Sequence, residues 1–361
     1  MCPAHTNLTP PGITCDIFCR VIDNFGDIGV TWRLALQLAL EHGVKVRLIV
    51  DDLASFSRIE PTIDLSCGLQ EIRGISVISW NQAFDIDPAD LVIEMFAVNL
   101  PASYVAAMAA MVCPPVWINL EYLSAESWVG EHHLLPSPHP KLPLTKHFFF
   151  PGFTQDSGGI LRERYLLAER DAFMSANEGK YLRVFLFGYR NDAGDSLIRS
   201  IDESTMRGRC TVPEGALASA LTPNVAIETI NFTSQKNFDR LLWQHDVLFV
   251  RGEDSFIRAQ WAAKPFIWQI YPQNENAHWV KLNSFLALYC DGLETEAASV
   301  LRELWRAWNA EDRANIGAAW QQFTNHLPAL QVHAKAWSER LAQMPDLAAN
   351  LLSFYQKSTK I

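Results

Sequence analysis

The sequence lacks several features that mark common classes of protein. No uninterrupted apolar run approaches the roughly 18 residues of a membrane-spanning helix, and residues 1–11 have neither a basic start nor an apolar signal core. No run of Lys or Arg could follow a phosphate backbone, and 40 acidic against 30 basic residues give a net charge of -10. We therefore expect a cytoplasmic protein that binds neither membrane nor nucleic acid.

Signatures of cofactors and metals are also missing. The seven cysteines include no C-x-x-C pair, as is typical of a reducing compartment, so we expect Cys15 and Cys19 to be buried thiols. Neither G-x-G-x-x-G nor a Walker A loop is present. His132, His133 and His139 lie among prolines without the helical spacing of metal ligands. We predict neither a metal nor a cofactor.

The chain does have the composition of a large globular protein. It has 361 residues, of which 49% are apolar and 19% charged, and a typical domain of about 150 residues makes two domains the natural expectation. The first predicted elements form a βαβ unit, with an apolar strand over residues 13–23, a helix over 30–42 and a strand over 44–50. Apolar runs at 90–96 and 116–119 continue a parallel sheet.

The regular succession of predicted strands is interrupted over residues 153–180 and then resumes. We predict a domain boundary there, with one domain over 1–155 and a second over 156–361. Gly194 begins a G-D-S-L string found in some esterases, but here it is expected to begin a helix. Further strands are predicted at 181–189, 225–232, 246–251 and 266–271, with helices at 235–245 and 254–264 and a helical tail from 276 onward.

These patterns predict an α/β protein with two facing Rossmann-like domains and a helical C-terminal tail. In such sheets, ligands bind outside the carboxyl ends of the parallel strands. We therefore expect a cleft shared by the two domains, lined by the residues that follow each strand.

A run at the exit of the first strand carries two acids. It reads D-N-F-G-D-I-G-V-T-W-R from Asp23, and its glycines allow a tight turn into the next helix. Asp23 and Asp27 are four residues apart and are expected at the cleft, where they could act as a base and its partner. The plain alternative is that Asp27 caps the helix and Asp23 only ends the strand.

A second run joins a strand, a glycine turn and the start of a helix. It reads V-R-G-E-D-S-F-I-R from Val250, and backbone N–H groups at such a helix start attract anions. Arg251, Glu253 and Ser255 offer a cation, an acceptor for hydroxyl groups and a donor to phosphate, which are the functions that a nucleoside diphosphate needs. The alternative is that Asp254 or Ser255 is only a helix cap.

Aromatic side chains follow two other predicted strands. Phe187 and Tyr189 lie at the exit of the strand over 181–189, and Phe232 ends the strand over 225–232. A nucleobase stacked on such rings gains roughly 1–3 kcal/mol per contact. Packing in the core or at the sheet edge is an equally good interpretation of these rings.

Five runs of residues stand in a fixed order along the chain. They are D-N-F-G-D-I-G-V-T-W-R-L-A from Asp23, L-P-S-P-H-P from Leu135, F-F-F-P-G-F from Phe148, V-R-G-E-D-S-F-I-R-A-Q-W-A from Val250 and F-I-W-Q-I-Y-P-Q from Phe266. In these runs, nearly the whole chain resembles the family of protein-arginine rhamnosyltransferases that modify elongation factor P. The order and spacing of the runs make coincidence improbable.

The resemblance implies a two-domain glycosyltransferase of the B type that works without a metal. It implies dTDP-β-L-rhamnose as the donor substrate, elongation factor P as the protein substrate, and inversion at the anomeric carbon as rhamnose is linked to an arginine nitrogen. The N-terminal domain would bind the protein acceptor, and the C-terminal domain the nucleotide sugar.

The resemblance also implies roles for individual residues. Asp27 resembles the general base, Asp23 its partner in orienting the guanidinium, and Glu253 the essential acid of the donor site. The implied donor site has Phe187, Tyr189 and Phe232 around thymine, and Gln235, Asp254, Ser255 and Tyr271 near the ribose or diphosphate.

Two other functions remain open at the level of the sequence. The same fold could transfer a sugar to a lipid or saccharide, since a fold alone does not fix the acceptor. A module that binds a nucleotide sugar without turnover is the other alternative, although binding alone does not need the acids at Asp23 and Asp27.

Overall fold

The computed structural model describes residues 12–22, 25–80, 86–174, 181–203, 208–214 and 225–360. Within these ranges, the first half of the chain alternates strands and helices, as its apolar runs predict. Its strands are β1 (Thr14–Cys19), β2 (Lys45–Val50), β3 (Leu69–Ile72), β4 (Ile75–Ser79), β5 (Leu91–Met95), β6 (Val116–Leu120), β7 (Pro136–Pro138) and β8 (Thr145–Phe149), and its helices are α1 (Gly26–His42), α2 (Leu53–Ile59), α3 (Ala102–Ala110) and α4 (Trp128–His132).

The second half repeats the alternation and ends in helices. As predicted, a helix begins at Gly194, whereas the strand over Gly208–Pro213 was not predicted. The strands are β9 (Leu182–Leu186), β10 (Gly208–Pro213), β11 (Val225–Ile230), β12 (Val247–Arg251) and β13 (Phe266–Gln269), and the helices are α5 (Leu166–Met174), α6 (Gly194–Asp202), α7 (Gln235–Gln244), α8 (Asp254–Ala262), α9 (Ala277–Tyr289), α10 (Thr295–Asn309), α11 (Ile316–Asn325), α12 (Leu327–Ala342) and α13 (Leu347–Ser358).

The described chain divides into two compact units, and it crosses between them more than once. The first unit takes the described residues of Met1–Tyr122, His132–Pro151 and Leu347–Ile361, and the second takes those of Leu123–Glu131 and Gly152–Asp346. A single boundary, such as the one predicted after residue 155, therefore does not describe this division.

The last helix belongs to the first unit, although the sequence predicts a second domain over all of 156–361. Helix α13 packs against α1. On its surface, the ring of Phe354 lies 5.0 Å from that of His147 and 6.4 Å from that of Phe149, between ring centroids. The C-terminal helices thus serve both units, since α9 to α12 remain with the second.

The first unit is built on an eight-stranded sheet in the order β3-β4-β2-β1-β5-β6-β8-β7. The pairs are parallel except β3 with β4 and β7 with β8, at the two edges. The chain runs outward from β1 through β2, and β5 then returns to the other side of β1. The carboxyl end of β1 therefore lies at a topological switch point, the usual ligand position in such sheets.

The apolar runs of the sequence form the buried strands of the first unit. All five residues of β5 are buried, as expected for a parallel strand that is covered on both faces. Cys15 and Cys19 of β1 are fully buried, which confirms that expectation. Burial raises the pKa of the Cys19 thiol to about 12, so this group stays protonated and behaves as a small apolar side chain.

The second unit has a five-stranded parallel sheet in the order β11-β10-β9-β12-β13. The chain runs outward from β9 through β10 to β11, and β12 then pairs with the other side of β9. The switch point of this unit therefore lies between the carboxyl ends of β9 and β12. Residues that follow these two neighbouring strands are brought together at one edge.

A cluster of aromatic side chains covers one side of this sheet. The ring of Phe256 on α8 stacks on that of Trp268 at 4.0 Å and meets that of Phe285 on α9 edge to face at 4.8 Å. Trp305 on α10 and Trp337 on α12 lie 5.7 and 5.9 Å from Phe285, between ring centroids. The cluster joins the C-terminal helices to α8, which carries several of the predicted site residues.

Candidate active site

Asp27 lies at the switch point of the first unit, in the first turn of α1. Asp27 is only 2% exposed. The backbone N–H of Ile22 donates to Oδ2 at 2.9 Å, and the hydroxyl of Tyr122 donates to Oδ1 at 3.1 Å. Helix α1 has Phe25 at its N-cap with no side-chain capping bond, so Asp27 is not merely a cap. Asp23, its predicted partner, lies outside the described residues.

Tyr122 was not identified from the sequence, although a signal for it exists. It follows β6 by two residues, and residues at that position of a parallel strand line the ligand edge of the sheet. Its ring is stacked on that of Phe96, which follows β5, at 4.1 Å and an interplanar angle of 10°.

Glu253 lies in the turn between β12 and α8, at the N-cap of the helix. Gly252 has a φ of +63°, a conformation that glycine adopts readily and other residues rarely do. The indole N–H of Trp268 donates to the carbonyl of Gly252 at 2.9 Å and holds the turn. The carboxylate of Glu253 accepts the backbone N–H of Leu123 at 2.9 Å.

Asp254 and Ser255 begin α8, as predicted, but the hydroxyl of Ser255 is engaged within the turn. It accepts the backbone N–H of Arg251 at 3.1 Å and donates to the carbonyl of the same residue. The predicted contact of this hydroxyl with a diphosphate would require it to leave that carbonyl. Backbone N–H groups at the start of an α-helix point out of the helix and suit an anion, and the start of α8 is such a position.

Arg251 lies against two of the predicted aromatic residues. Its guanidinium carbon is 4.5 Å from the ring centroid of Tyr189 and 5.2 Å from that of Phe187. Tyr189 in turn meets Tyr271 edge to face at 5.8 Å. These four residues therefore form one cluster, the Arg251 cluster, at the switch point of the second unit. Cation–π contacts of this kind hold both the cation and the rings in place.

Gly188 and Gln269 support this cluster and were not predicted. The side-chain carbonyl of Gln269 accepts the backbone N–H of Tyr189 at 2.8 Å. A Cβ atom at Gly188 would lie only 2.7 Å from that carbonyl oxygen. The close approach between the loop after β9 and the end of β13 thus depends on glycine at this position.

Phe232 and Gln235 lie two strands away from Tyr189, because β10 separates β9 from β11. Phe232 follows β11 and is 47% exposed, and Gln235 is the first residue of α7. The hydroxyl of Ser234 accepts the N–H of Asn237 and caps that helix. These two predicted donor residues share the carboxyl edge of the sheet with the Arg251 cluster.

The described ranges contain no group of three or more His, Cys, Asp or Glu side chains arranged to hold a metal ion. In the same part of the chain, no helix combines the length and the apolar character needed to cross a bilayer.

The chain is similar to known proteins over almost its full length. A model of the family described as elongation factor P (EF-P) rhamnosyltransferase EarP matches residues 15–356. The protein-arginine rhamnosyltransferase of Pseudomonas putida is 45% identical over 376 residues, covering 96% of this chain and 99% of the relative. That of Neisseria meningitidis serogroup B is 36% identical over 395 residues, covering 98% and 99%.

Solved structures agree with the family match. A structure of EarP-mediated arginine glycosylation of translation elongation factor EF-P is 34% identical, with a TM-score of 0.65 and coverage of 96% of this chain and 99% of the other. The glycosyltransferase VinC in complex with dTDP has a TM-score of 0.52 at 10% identity, over 96% and 100% of the chains, and shows the fold alone.

The two sheets, parallel except at the edges of the first, and the helical C-terminus are those of a B-type glycosyltransferase, as predicted. The predicted enzyme class is confirmed by relatives at 36% to 45% identity. The chain belongs to the EarP family of protein-arginine rhamnosyltransferases.

Proposed function

We propose that this enzyme transfers L-rhamnose from dTDP-β-L-rhamnose to an arginine side chain of elongation factor P. The observation that carries the proposal is the family match over residues 15–356, whose description names elongation factor P and rhamnose transfer. The position of an acid at the switch point of the first unit, and of a cation with aromatic rings at that of the second, supports it.

On the acceptor side, the chemistry needs an acid that holds and deprotonates a guanidinium. With a pKa above about 12, arginine is protonated and its nitrogen lone pairs are delocalised, so it is a poor nucleophile. Asp27 would hold the group by charge-assisted hydrogen bonds and accept a proton as the new bond forms. Each carboxylate oxygen can accept two bonds, so its bonds to Ile22 and Tyr122 are compatible with this role.

On the donor side, the nucleotide sugar needs a base platform, a diphosphate site and an acceptor for hydroxyl groups. The rings of Phe187, Tyr189 and Phe232 suit thymine. The guanidinium of Arg251 and the N-terminus of α8 suit the diphosphate. Glu253 would accept hydrogen bonds from hydroxyl groups of the donor.

The proposed reaction is a single displacement at the anomeric carbon. A guanidinium nitrogen forms the new C–N bond and its proton goes to Asp27, while the bond between that carbon and the diphosphate oxygen breaks and its electron pair leaves with dTDP. Attack opposite the leaving group inverts the configuration. The charge that develops on the diphosphate would be met by backbone N–H groups of α8 and by the hydroxyl of Tyr271, so the proposal does not use a metal.

The test is to incubate the purified enzyme with elongation factor P and dTDP-β-L-rhamnose and to measure the intact mass of the factor. We expect a gain of one deoxyhexosyl group, and none when Lys replaces the acceptor arginine. Asp27→Asn keeps the shape of the side chain but loses its basicity, so turnover should fall by about 10²–10⁴-fold while donor binding stays near normal. An unmodified factor would refute the donor or acceptor, and full turnover by Asp27→Asn would refute the base.

A further inference from the structure

A strained turn in the first unit is linked to Asp27 through Tyr122. Phe96 and Ala97, which follow β5, both have a φ of +57°. Non-glycine residues rarely adopt this conformation, because it strains the backbone. Two successive residues with positive φ persist only where the surrounding structure enforces that conformation. Strained backbone positions of this kind cluster at functional sites.

Hydrogen bonds from the neighbouring strand hold this turn. The backbone N–H of Phe96 donates to the carbonyl of Leu120 at 2.7 Å. The N–H of Ala97 donates to the side-chain carbonyl of Asn119 at 2.9 Å, and the amide nitrogen of Asn119 donates to Glu121 at 2.5 Å. The end of β6 therefore fixes the backbone of the turn and with it the direction of the Phe96 side chain.

The turn places the ring of Phe96 under that of Tyr122. The nearly parallel stack, with centroids 4.1 Å apart, limits the ring of Tyr122 to a narrow range of positions, and Phe96 itself is 8% exposed. From that position the hydroxyl of Tyr122 donates to Oδ1 of Asp27. A chain of contacts thus runs from the strained turn through two rings to the acid.

We infer that Tyr122, held by its stack on Phe96, is a positioning residue for Asp27. Together with the N–H of Ile22 on Oδ2, it fixes the plane of the carboxylate that would bind the guanidinium. The inference rests on the proposed role of Asp27 as base. It explains why the fold tolerates two strained residues at this point, since a catalytic group must be held close to its productive geometry.

Two variants separate the hydroxyl from the stack. Tyr122→Phe removes the hydrogen bond and keeps the ring, and Phe96→Leu keeps the hydroxyl and removes the stack. Both should lower kcat by about 10- to 100-fold, as a misplaced catalytic group does. The KM for dTDP-β-L-rhamnose should stay within about twofold, because lost positioning acts on the chemical step rather than on donor binding. Phe96→Tyr restores a ring and should restore kcat.

The outcomes distinguish this inference from the proposed function. If the unaltered enzyme modifies elongation factor P and Asp27→Asn does not, wild-type kcat in Tyr122→Phe overturns the positioning role alone. An equal loss in Phe96→Leu and Phe96→Tyr also overturns it, since the ring would then not matter. If the unaltered enzyme does not modify the factor, the proposed function and this inference fall together.

Discussion

The backbone N–H of Leu123 donates a hydrogen bond of 2.9 Å to the carboxylate of Glu253, which follows it by 130 positions. Leu123 is 1% exposed, and a charge-assisted bond is stronger where water is excluded. Glu253 is thereby oriented from outside its own turn, while Gly252 and Trp268 fix the turn itself. A substitution that keeps the shape of Glu253 therefore tests its charge and not its position.

We expect Glu253→Gln to fold normally and to transfer rhamnose less efficiently. The amide oxygen can still accept the N–H of Leu123, but bonds from donor hydroxyl groups lose their charge assistance. That loss is worth about 1.5–3 kcal/mol, or roughly 10- to 100-fold in kcat/KM for the nucleotide sugar. Initial rates at varied donor concentration measure it, with Glu339→Gln on the exposed face of α12 as the control. Unchanged kcat/KM in Glu253→Gln would remove this residue from the donor site.

Phe232→Ala should weaken binding of the dTDP sugar without changing the fold. Phe232 is 47% exposed and lies outside the core, and loss of a stacked base costs about 1–3 kcal/mol of binding free energy. Calorimetric titration with dTDP-β-L-rhamnose measures this. Val332→Ala, which truncates another exposed apolar side chain, is the matched control. Wild-type affinity in Phe232→Ala would mean that thymine binds elsewhere.

The sequence predicts which residues reach the ligand edge, but not which of them are neighbours. Residues that follow parallel strands share one edge, so Tyr189, Arg251 and Phe232 could all be assigned to it. Their spacing along the sheet depends on strand order, which rests on long-range pairing. Because β12 pairs with β9, Arg251 meets Tyr189, whereas the unpredicted β10 lies between β9 and the strand that Phe232 follows.

Other features escaped prediction for related reasons. Tyr122 is one residue in a short polar connection, and its importance comes from a contact with Asp27, 95 positions away. Helix α13 has the same amphipathic pattern as its predecessors, and the pattern gives the buried face but not the unit that buries it. The engagement of the Ser255 hydroxyl with Arg251 depends on the local geometry of a glycine turn.

Arg258→Met should destabilise the second unit. The guanidinium is buried and donates to both carboxylate oxygens of Asp239, at 2.7 and 2.8 Å, and to Glu163 at 2.6 Å. Removing one partner of a buried ion pair leaves uncompensated charge and costs about 3–5 kcal/mol of the free energy of unfolding. Urea denaturation followed by tryptophan fluorescence measures the change. Arg258→Met combined with Asp239→Leu should recover part of it, and an unchanged urea midpoint in the single variant would contradict the argument.

The stability of the second unit should also fall in mild acid because of His245. The ring is 4% exposed, with Nδ1 2.6 Å from the carbonyl of Leu241 and Nε2 2.7 Å from the hydroxyl of Thr211. Burial lowers the pKa of this imidazole. Since the folded pKa lies below the unfolded value of about 6.5, the unfolded state binds the proton first, and stability is lost as pH falls below that value.

Burial also lowers the pKa values of His147 and His333. A variant is therefore needed to separate the contribution of His245 from theirs. His245→Gln keeps a donor and an acceptor but does not titrate. Between about pH 7.5 and 5.5, the unaltered protein should lose more unfolding free energy than the variant, by at most about 1.4 kcal/mol per pH unit. Urea midpoints at the two pH values measure the difference. If the unfolding free energy of the two proteins changed equally with pH, His245 would bind its proton equally well in the folded and unfolded states. That result would contradict the prediction made from its burial against Thr211 and Leu241.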